Sequence, residues 1–256
     1  MKLLFVVPGE GLPEEELARR RQVLQRHAFP GTEVHIRACR NGVRSIESCY
    51  EDALAAPAVA EAAAQAEKEG YDGVIIGCAG DPGLYAAREL VRIPVVGPGE
   101  NAVHLAAALG MAFSVIAVVD SCVPRHRRLV QRAGIAPDRL ASVRAANVSV
   151  LDIAEDPGIA RRRVTEEARR AVEEDGADCV ILGCLSLAFA LFDRELEQIL
   201  GVPVINPALA ALKQLESMAA LGIRHSKIAY RVPPKLRSRA DGRNELGKNV
   251  PDGNTT

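Results

Sequence analysis

The chain has 256 residues, of which 48% are hydrophobic, and its formal net charge is −1 at pH 7. This apolar content predicts a soluble globular protein with a filled core, in one large domain or two small ones. The near-zero charge provides no long-range field for a polyanion, so we expect neither nucleic acid nor a membrane as a partner.

The N-terminus and the cysteines indicate the cellular compartment. The apolar run after Lys2 is interrupted at Pro8 and Gly9 and is followed by acidic residues, which is not the pattern of a secretory signal. Six cysteines without such a signal and without CxxC spacing are typical of a reducing cytoplasm. The five histidines are scattered and there is no Gly-rich nucleotide motif, so we expect a cytoplasmic protein with no metal and no cofactor.

Strands and helices alternate along the first half of the chain. Short β-branched runs predict strands, and longer Ala-rich or charged segments predict helices. The expected elements are a strand over Lys2–Val7, a helix over Pro13–His27, a strand over Thr32–Arg37, a loop over Ala38–Cys49, a helix over Tyr50–Glu69, a strand from Gly73, a helix near Gly83–Val91, a strand at Val95–Val96 and a helix near Glu100–Leu109.

The same order of elements begins again at Phe113, which predicts an internal duplication of an α/β unit with parallel strands. The expected elements are a strand over Phe113–Val119, a helix over Pro124–Ala133, a strand near Ser142–Ala145, a helix over Pro157–Asp175, a strand from Cys179, a helix near Ala190–Leu200, a strand over Pro203–Ile205 and a helix over Pro207–Leu221.

Two stretches place a cysteine directly after a buried strand. They are GVIIGCAGDPGL, which contains Cys78, and CVILGCLSL, which contains Cys184. The carboxyl ends of parallel strands form the edge where open α/β folds bind ligands, and a helix that begins there would favour a thiolate. We therefore expect the two thiols to face each other across a cleft.

The alternative for each cysteine is a small core residue, because free cysteine is among the most buried residue types. The matched positions of Cys78 and Cys184 weigh against that alternative. Cys179 is interpreted as a core residue, Cys39 and Cys49 are placed in or beside a loop, and Cys122 remains an outside candidate for the site.

A thiolate and a thiol on opposite sides of a flat intermediate can invert a carbon acid, since one removes a proton and the other delivers one. The enolate oxygen that forms needs hydrogen-bond donors. Backbone N–H groups of the turn Ala79-Gly80-Asp81 and of Leu185-Ser186 are the candidates.

Three other groups of polar residues lie near these turns. Asp120 and Ser121 could cap the helix that enters at Pro124 or contact a ligand from the cleft, with capping the preferred interpretation. Asp81 could likewise cap a helix. The basic cluster is interpreted as a solvated face from which one arginine could reach an anionic ligand; its members are Arg125, His126, Arg127 and Arg128.

The segments GVIIGCAGDPGLYAARE, SIESCYEDALAAP and ILGC resemble the hydantoin and allantoin racemase branch of the aspartate/glutamate racemase superfamily, from the first strand to about residue 222. The resemblance implies two pseudo-symmetric Rossmann-like lobes with parallel sheets, an active site in the cleft between them, no cofactor and a homo-oligomer. It also implies that Cys78 and Cys184 are the acid/base cysteines and that Ser45, Ile46 and Glu47 line the site.

These considerations define the expected lobes and site. Lobe one would comprise residues 1–98 and 206–222, lobe two residues 99–205, and residues 223–256 would form a disordered or loosely packed tail. Glu47 and Asp81 would stand behind the substrate-binding residues. The substrate-binding residues would be Pro8, Gly9, Ser45, Ile46, Ala79, Gly80, Asp120, Ser121, Leu185 and Ser186.

Three departures from the family pattern concern the substrate. Ala79-Gly80 and Leu185-Ser186 stand where the amino-acid racemases have Asn-Thr, which argues against free aspartate or glutamate. Val7-Pro8-Gly9-Glu10 occurs in place of the Asn-Pro-Asn-Thr turn of the hydantoin branch, which removes side-chain donors and adds a possible carboxylate. Leu185 and Phe189 are expected to make the wall beside the second thiol bulkier.

The expected function is a cofactor-independent racemase or epimerase that acts on a hydantoin-like cyclic ureide or related amide by a two-cysteine acid/base mechanism. One alternative is an arylmalonate-type decarboxylase or a maleate-type isomerase of the same superfamily. The decarboxylases need only the thiol equivalent to Cys184, so the presence of Cys78 as well favours racemisation. The other alternative is a non-catalytic small-molecule binding protein with inert thiols.

Overall fold

The computed structural model describes residues 1–40 and 42–236. The first half contains β1 (Lys2–Val7), α1 (Glu14–His27), β2 (Glu33–Ala38), α2 (Cys49–Lys68), β3 (Gly73–Ile76), α3 (Leu84–Leu90), β4 (Val95–Val96) and α4 (Pro98–Leu109). The second half contains β5 (Phe113–Ala117), α5 (Val123–Arg132), β6 (Leu140–Ala145), α6 (Val150–Glu155), α7 (Pro157–Glu173), β7 (Cys179–Leu182), α8 (Leu185–Phe189), α9 (Asp193–Leu200), β8 (Val204–Ile205) and α10 (Pro207–Ala220).

The strands form two parallel sheets with the same topology. The first has the order β2-β1-β3-β4 and the second the order β6-β5-β7-β8. In the first sheet β1 lies between β2 and β3, and in the second β5 takes the equivalent central place. The expected α/β fold of two lobes, each built on a parallel sheet, is therefore confirmed.

Two helices connect the lobes by crossing between them. Helix α4 follows the last strand of the first sheet, yet Ala102, Val103 and Ala106 belong to the core around the second sheet. Helix α10 follows the last strand of the second sheet, and Leu212 and Leu215 belong to the core around the first. Each lobe thus completes its core with a helix that comes directly after the other lobe's last strand. These two helices fix the positions of the sheet edges that carry Cys78 and Cys184 relative to each other.

A glycine ends each of the two central strands that precede a thiol. The Gly77 N–H donates to the Val6 carbonyl at 2.6 Å, and the Gly183 N–H donates to the Ile116 carbonyl at 2.8 Å. A Cβ at Gly77 would lie 2.7 Å from the Val6 oxygen, and a Cβ at Gly183 would lie 2.8 Å from the Ile116 oxygen. The repeated Gly-Cys sequence therefore reflects close backbone approach at equivalent places in both lobes.

The sequence does not predict helix α6, and several element boundaries differ from the expectations. The helix expected near Ala190–Leu200 begins only at Asp193, as α9, and the separate short helix α8 precedes it, because the chain turns at Leu191, which has a left-handed φ of 55°. Helix α2, expected from about Tyr50, begins one residue earlier, so Cys49 lies beside the loop as expected and is the first residue of the helix. The Ser48 hydroxyl caps this helix by accepting the Glu51 N–H at 3.2 Å.

The segment expected to be a loosely packed tail makes specific contacts near its start. His225 Nε2 lies 3.0 Å from the Val95 nitrogen, and Lys227 donates to the Arg88 carbonyl at 2.6 Å. The Tyr230 ring stacks on Tyr85 with 6.2 Å between centroids. Residues 237–256, the remainder of that expected tail, lie outside the described residues. Among those that are described, no helix is long and apolar enough to cross a membrane.

Candidate active site

A pocket lies where the carboxyl edges of the two sheets meet. Its empty volume, which includes open solvent at the mouth, is about 610 Å³. Nine of the expected site residues line it: Pro8, Gly9, Ser45, Ile46, Cys78, Ala79, Cys184, Leu185 and Ser186. The pocket is also lined by Val7, Gly11, Leu12, Arg20, Val43, Arg44, Gly77, Val118, Arg125, Val150 and Gly183. One cysteine from each lobe therefore borders a single, largely apolar pocket.

The turn after β3 holds the first thiol. Cys78 is half-buried, and its sulfur accepts the Gly80 N–H at 3.4 Å. Helix α3 begins only at Leu84, so Cys78 does not lie at a helix N-terminus as the sequence suggested. Burial raises the pKa of this thiol to about 11, while the Arg125 charge and the Gly80 N–H act in the opposite direction. The helix start that was expected to favour a thiolate is therefore not at Cys78, and desolvation outweighs both favourable contacts.

Arg125 is the nearest positive charge to the first thiol. It is only 6% exposed, and its Nη1 lies 3.9 Å from Cys78 Sγ and 3.3 Å from Asp52 Oδ1. Its Nη2 lies 3.8 Å from the sulfur of Cys122, which is fully buried. The next residue, His126, is also buried, and desolvation lowers its pKa to about 3, so it is neutral at physiological pH.

The second thiol belongs to a segment that crosses between the lobes. Cys184 is half-buried and immediately precedes the short helix α8. Phe189, at the end of α8, packs edge-on against Phe5 with 5.7 Å between ring centroids. Phe189 is therefore part of the core of lobe one and is not among the residues that line the pocket, whereas Leu185 does line it. Only one of the two residues expected to make the wall bulkier does so.

Arg20 joins helix α1 to the second thiol segment. Its guanidinium donates to the Ser186 hydroxyl at 3.0 Å and to Glu16 at 2.7 Å. It also lies 4.9 Å from the centre of the Phe189 ring. Arg20 is 4% exposed and borders the pocket. Through its hydrogen bond it holds Ser186, which follows a strand of lobe two, in position from helix α1 of lobe one.

The segment Ser45–Glu47 closes one side of the pocket. Ser45 and Ile46 line it, while Glu47 lies behind them as expected and connects separate parts of the chain. The Glu47 carboxylate accepts the Val150 N–H at 2.7 Å, and its carbonyl accepts the Ser121 hydroxyl at 2.6 Å. This segment of lobe one is thus held in place by contacts to lobe two.

Three expected substrate-binding residues, Gly80, Asp120 and Ser121, do not line the pocket. Gly80 contacts the Cys78 sulfur from the far side of the turn, and Asp120 and Ser121 are exposed on a 3₁₀ turn. At the start of α5, in the described structure, no side chain makes a capping hydrogen bond. Asp81 accepts the N–H groups of Gly99 at 2.9 Å and Glu100 at 2.6 Å, so it caps α4 instead of the helix that follows it in sequence.

Sequence reasoning missed the arginines of the pocket. The solvated-face interpretation is wrong for Arg125 and His126, which are buried, and fits Arg127 and Arg128, which are exposed. The spacing of Cys122, Arg125 and Leu129 places them on one helical face, and this periodicity was the available signal. Arg20 and Arg44 had no comparable signal. Within the described ranges no cluster of His, Cys, Asp and Glu could hold a metal ion.

The chain has two lobes built on parallel sheets, and one cysteine from each lobe borders the pocket between them. Sequence comparison identifies the protein family to which this arrangement belongs. Residues 16–215 match the model of the Asp/Glu/Hydantoin racemase family. The chain therefore belongs to this family and is an isomerase of the racemase type.

Two of the chain's relatives are hydantoin racemases. The chain is 40% identical over 195 residues to a hydantoin racemase of Pseudomonas sp. (strain NS671), a match that covers 76% of this chain and 77% of the relative. A hydantoin racemase of Paenarthrobacter aurescens is 39% identical over 194 residues, which cover 75% of this chain and 81% of that protein.

Solved structures give the same result for the fold. The allantoin racemase from Klebsiella pneumoniae superposes with a TM-score of 0.84 at 34% identity, covering 92% of this chain and 94% of that one. An arylmalonate decarboxylase variant superposes with a TM-score of 0.61 at 18% identity, covering 88% of this chain and 95% of that one. The second likeness concerns the fold alone.

Proposed function

We propose that this racemase inverts the stereocentre of a hydantoin-like cyclic ureide or related amide without a cofactor, using Cys78 and Cys184 as the two acid/base groups. The observation that supports this most strongly is the presence of one cysteine from each lobe on a single pocket. The hydantoin racemases among its relatives favour a cyclic ureide as the substrate class.

The proposed step needs one thiolate and one thiol. The thiolate takes the proton from the carbon next to the ring carbonyl, and the electron pair of the C–H bond moves into an enolate. The thiol on the opposite face then gives its proton to the same carbon, and the negative charge ends on that second sulfur. Either cysteine can begin as the base, depending on which enantiomer is bound.

Backbone N–H groups are the proposed donors to the enolate oxygen. Leu185 and Ser186 form the first turn of α8, where N–H groups have no partner within the helix. Together with Ala79 they border the pocket, and a correctly placed donor of this kind is worth about 3 to 4 kcal/mol in an acyl-transfer enzyme. Apolar side chains, among them Val43 and Val118, would exclude water from the flat ring.

The test is turnover of single enantiomers. Purified protein is incubated with each enantiomer of several 5-substituted hydantoins and of allantoin, and optical rotation is followed. We expect loss of rotation with the parent chain and with Cys49→Ala, which removes an exposed thiol outside the pocket, and none with Cys78→Ala or Cys184→Ala. Unchanged rotation over the whole panel, or racemisation by both pocket variants at the parent rate, would contradict the proposal.

A cytoplasmic location and a homo-oligomeric state belong to the same proposal. Light scattering after size-exclusion chromatography measures the oligomeric state. A mass equal to that of one 27.4 kDa chain would contradict the proposed homo-oligomer.

A further inference from the structure

A buried guanidinium lies beside the first pocket thiol. Arg125 Nη1 is 3.9 Å from Cys78 Sγ, and among the described residues only Cys78 of the two pocket cysteines accepts hydrogen bonds at its sulfur. A cation that is 6% exposed requires compensating negative charge. Asp52, at 3.3 Å from the same nitrogen, supplies part of it, and a thiolate at Cys78 would supply more.

The turn around Cys78 is shaped to admit this guanidinium. A Cβ at Gly80 would lie too close to Arg125 Nη1 for any ordinary contact, and it would also lie 3.1 Å from Asp52 Oδ1. The Gly80 N–H meanwhile points to the Cys78 sulfur at 3.4 Å. The guanidinium and the carboxylate therefore occupy the space beside the thiol that a side chain at residue 80 would take.

We propose that Arg125 stabilises the thiolate of Cys78. Asp52 is a positioning residue, which holds the guanidinium beside the sulfur and partly offsets the positive charge of that guanidinium. For the catalytic step this rests on the proposed function. When Cys78 is the base, its sulfur lone pair takes the proton, the C–H electrons enter the enolate, and the S–H proton of Cys184 is delivered to the opposite face. The negative charge leaves the neighbourhood of Arg125 in one direction of turnover and returns to it in the other.

The charges of the two partners act on Cys78 in opposite directions. Arg125 lowers the pKa of the thiol and Asp52 raises it, against a larger increase from burial. Removing the positive charge should therefore reduce the thiolate fraction, and removing the negative charge should increase it. A purely structural role would predict damage from both substitutions, so the sign of the effect separates the two explanations.

Alkylation of Cys78 measures the thiolate directly. In a Cys184→Ser background, in which the two thiols no longer titrate together, iodoacetamide modification of Cys78 is followed by peptide mass spectrometry between pH 7 and 9.5. We expect Asp52→Asn to be alkylated about tenfold faster and Arg125→Gln about tenfold slower, for shifts of about one pKa unit. Arg125→Lys should lie between Arg125→Gln and the parent, and Arg127→Gln, an exposed arginine of the same helix, should match the parent.

The outcomes distinguish this inference from the proposed function. Slower or unchanged alkylation in a folded Asp52→Asn variant overturns the inference, even if Arg125→Gln does not fold. If the alkylation rates of the two variants shift in the expected opposite directions but no hydantoin is turned over, the charge pairing is upheld and the proposed function is rejected. Where the parent racemises hydantoins, Asp52→Asn should also move the alkaline rise of kcat/KM to lower pH, and a rise that stays in place would count against the role in catalysis.

Discussion

Replacing Phe189 by alanine should both destabilise the protein and impair the second thiol. The side chain is 1% exposed, so its removal should lower the free energy of unfolding by about 3 to 5 kcal/mol. About 0.5 to 1.5 kcal/mol of that loss should come from the edge-on contact with Phe5, which a double-mutant cycle with Phe5→Leu isolates. Urea unfolding followed by circular dichroism measures these free energies.

The effect on activity follows from the position of Phe189 at the end of α8. Since Cys184 immediately precedes this helix, loosening α8 in the core of lobe one should displace the thiol. A misplacement of about 1 Å can cost on the order of a hundredfold in rate. We therefore expect a large fall in kcat for hydantoin racemisation, measured at a temperature where the variant remains folded.

Phe192→Ala is the matched control, because Phe192 is 3% exposed and packs in the core of lobe two. It should lose comparable stability and keep most of the racemase activity. Equal residual activity in Phe189→Ala and Phe192→Ala would refute the idea that α8 positions Cys184. A stability loss below about 1 kcal/mol in Phe189→Ala would refute the packing argument.

Three further predictions concern pH and the glycines. For the enantiomer that Cys78 deprotonates, kcat/KM should rise about tenfold per unit from pH 6.5 to 8 because the pKa of Cys78 is about 11, and a flat profile would contradict the thiol assignment. The pKa of His126 falls from 6.5 to about 3 on folding, so the stability that its neutral form provides above pH 6.5 should be lost as pH falls, at about 1.4 kcal/mol per unit. Urea unfolding should show this slope in the parent and in the exposed control His104→Gln but not in His126→Gln. Gly77→Ala and Gly183→Ala should each lower stability by about 1 to 3 kcal/mol and reduce racemisation, whereas parent-like melting temperatures would show that the backbone has room to move.

The fold and the two thiols could be predicted from local pattern. Strands such as β3 and β7 are short aliphatic runs, and the glycine after each lies close to the backbone of β1 or β5. Periodicity and turn chemistry are properties of a few consecutive residues, so they can be recognised without knowledge of the tertiary structure. Family resemblance, and not local pattern, is what predicts Ser45 and Ile46 at the pocket.

What the sequence did not reveal depends on distant contacts. Arg125 appeared to be one charge among several on a solvated helix, and only the approach of Asp52 and Cys78 from the other lobe makes its burial favourable. Asp81 precedes one helix but caps another, because the turn that contains it packs against the start of α4. Phe189 was placed at the pocket by its proximity in sequence to Cys184, whereas packing against Phe5 draws it into the core.

The central claim is that the sulfurs of Cys78 and Cys184 act on opposite faces of one carbon atom, and single-thiol variants test it most directly. Each enantiomer of a substrate hydantoin is incubated in deuterated water with Cys78→Ser or with Cys184→Ser, and exchange at the stereocentre is followed by NMR. We predict that neither variant racemises, that Cys184→Ser exchanges the proton of one enantiomer only, and that Cys78→Ser exchanges that of the other only. Exchange of the same enantiomer by both variants, or racemisation by either at the parent rate, would contradict the account.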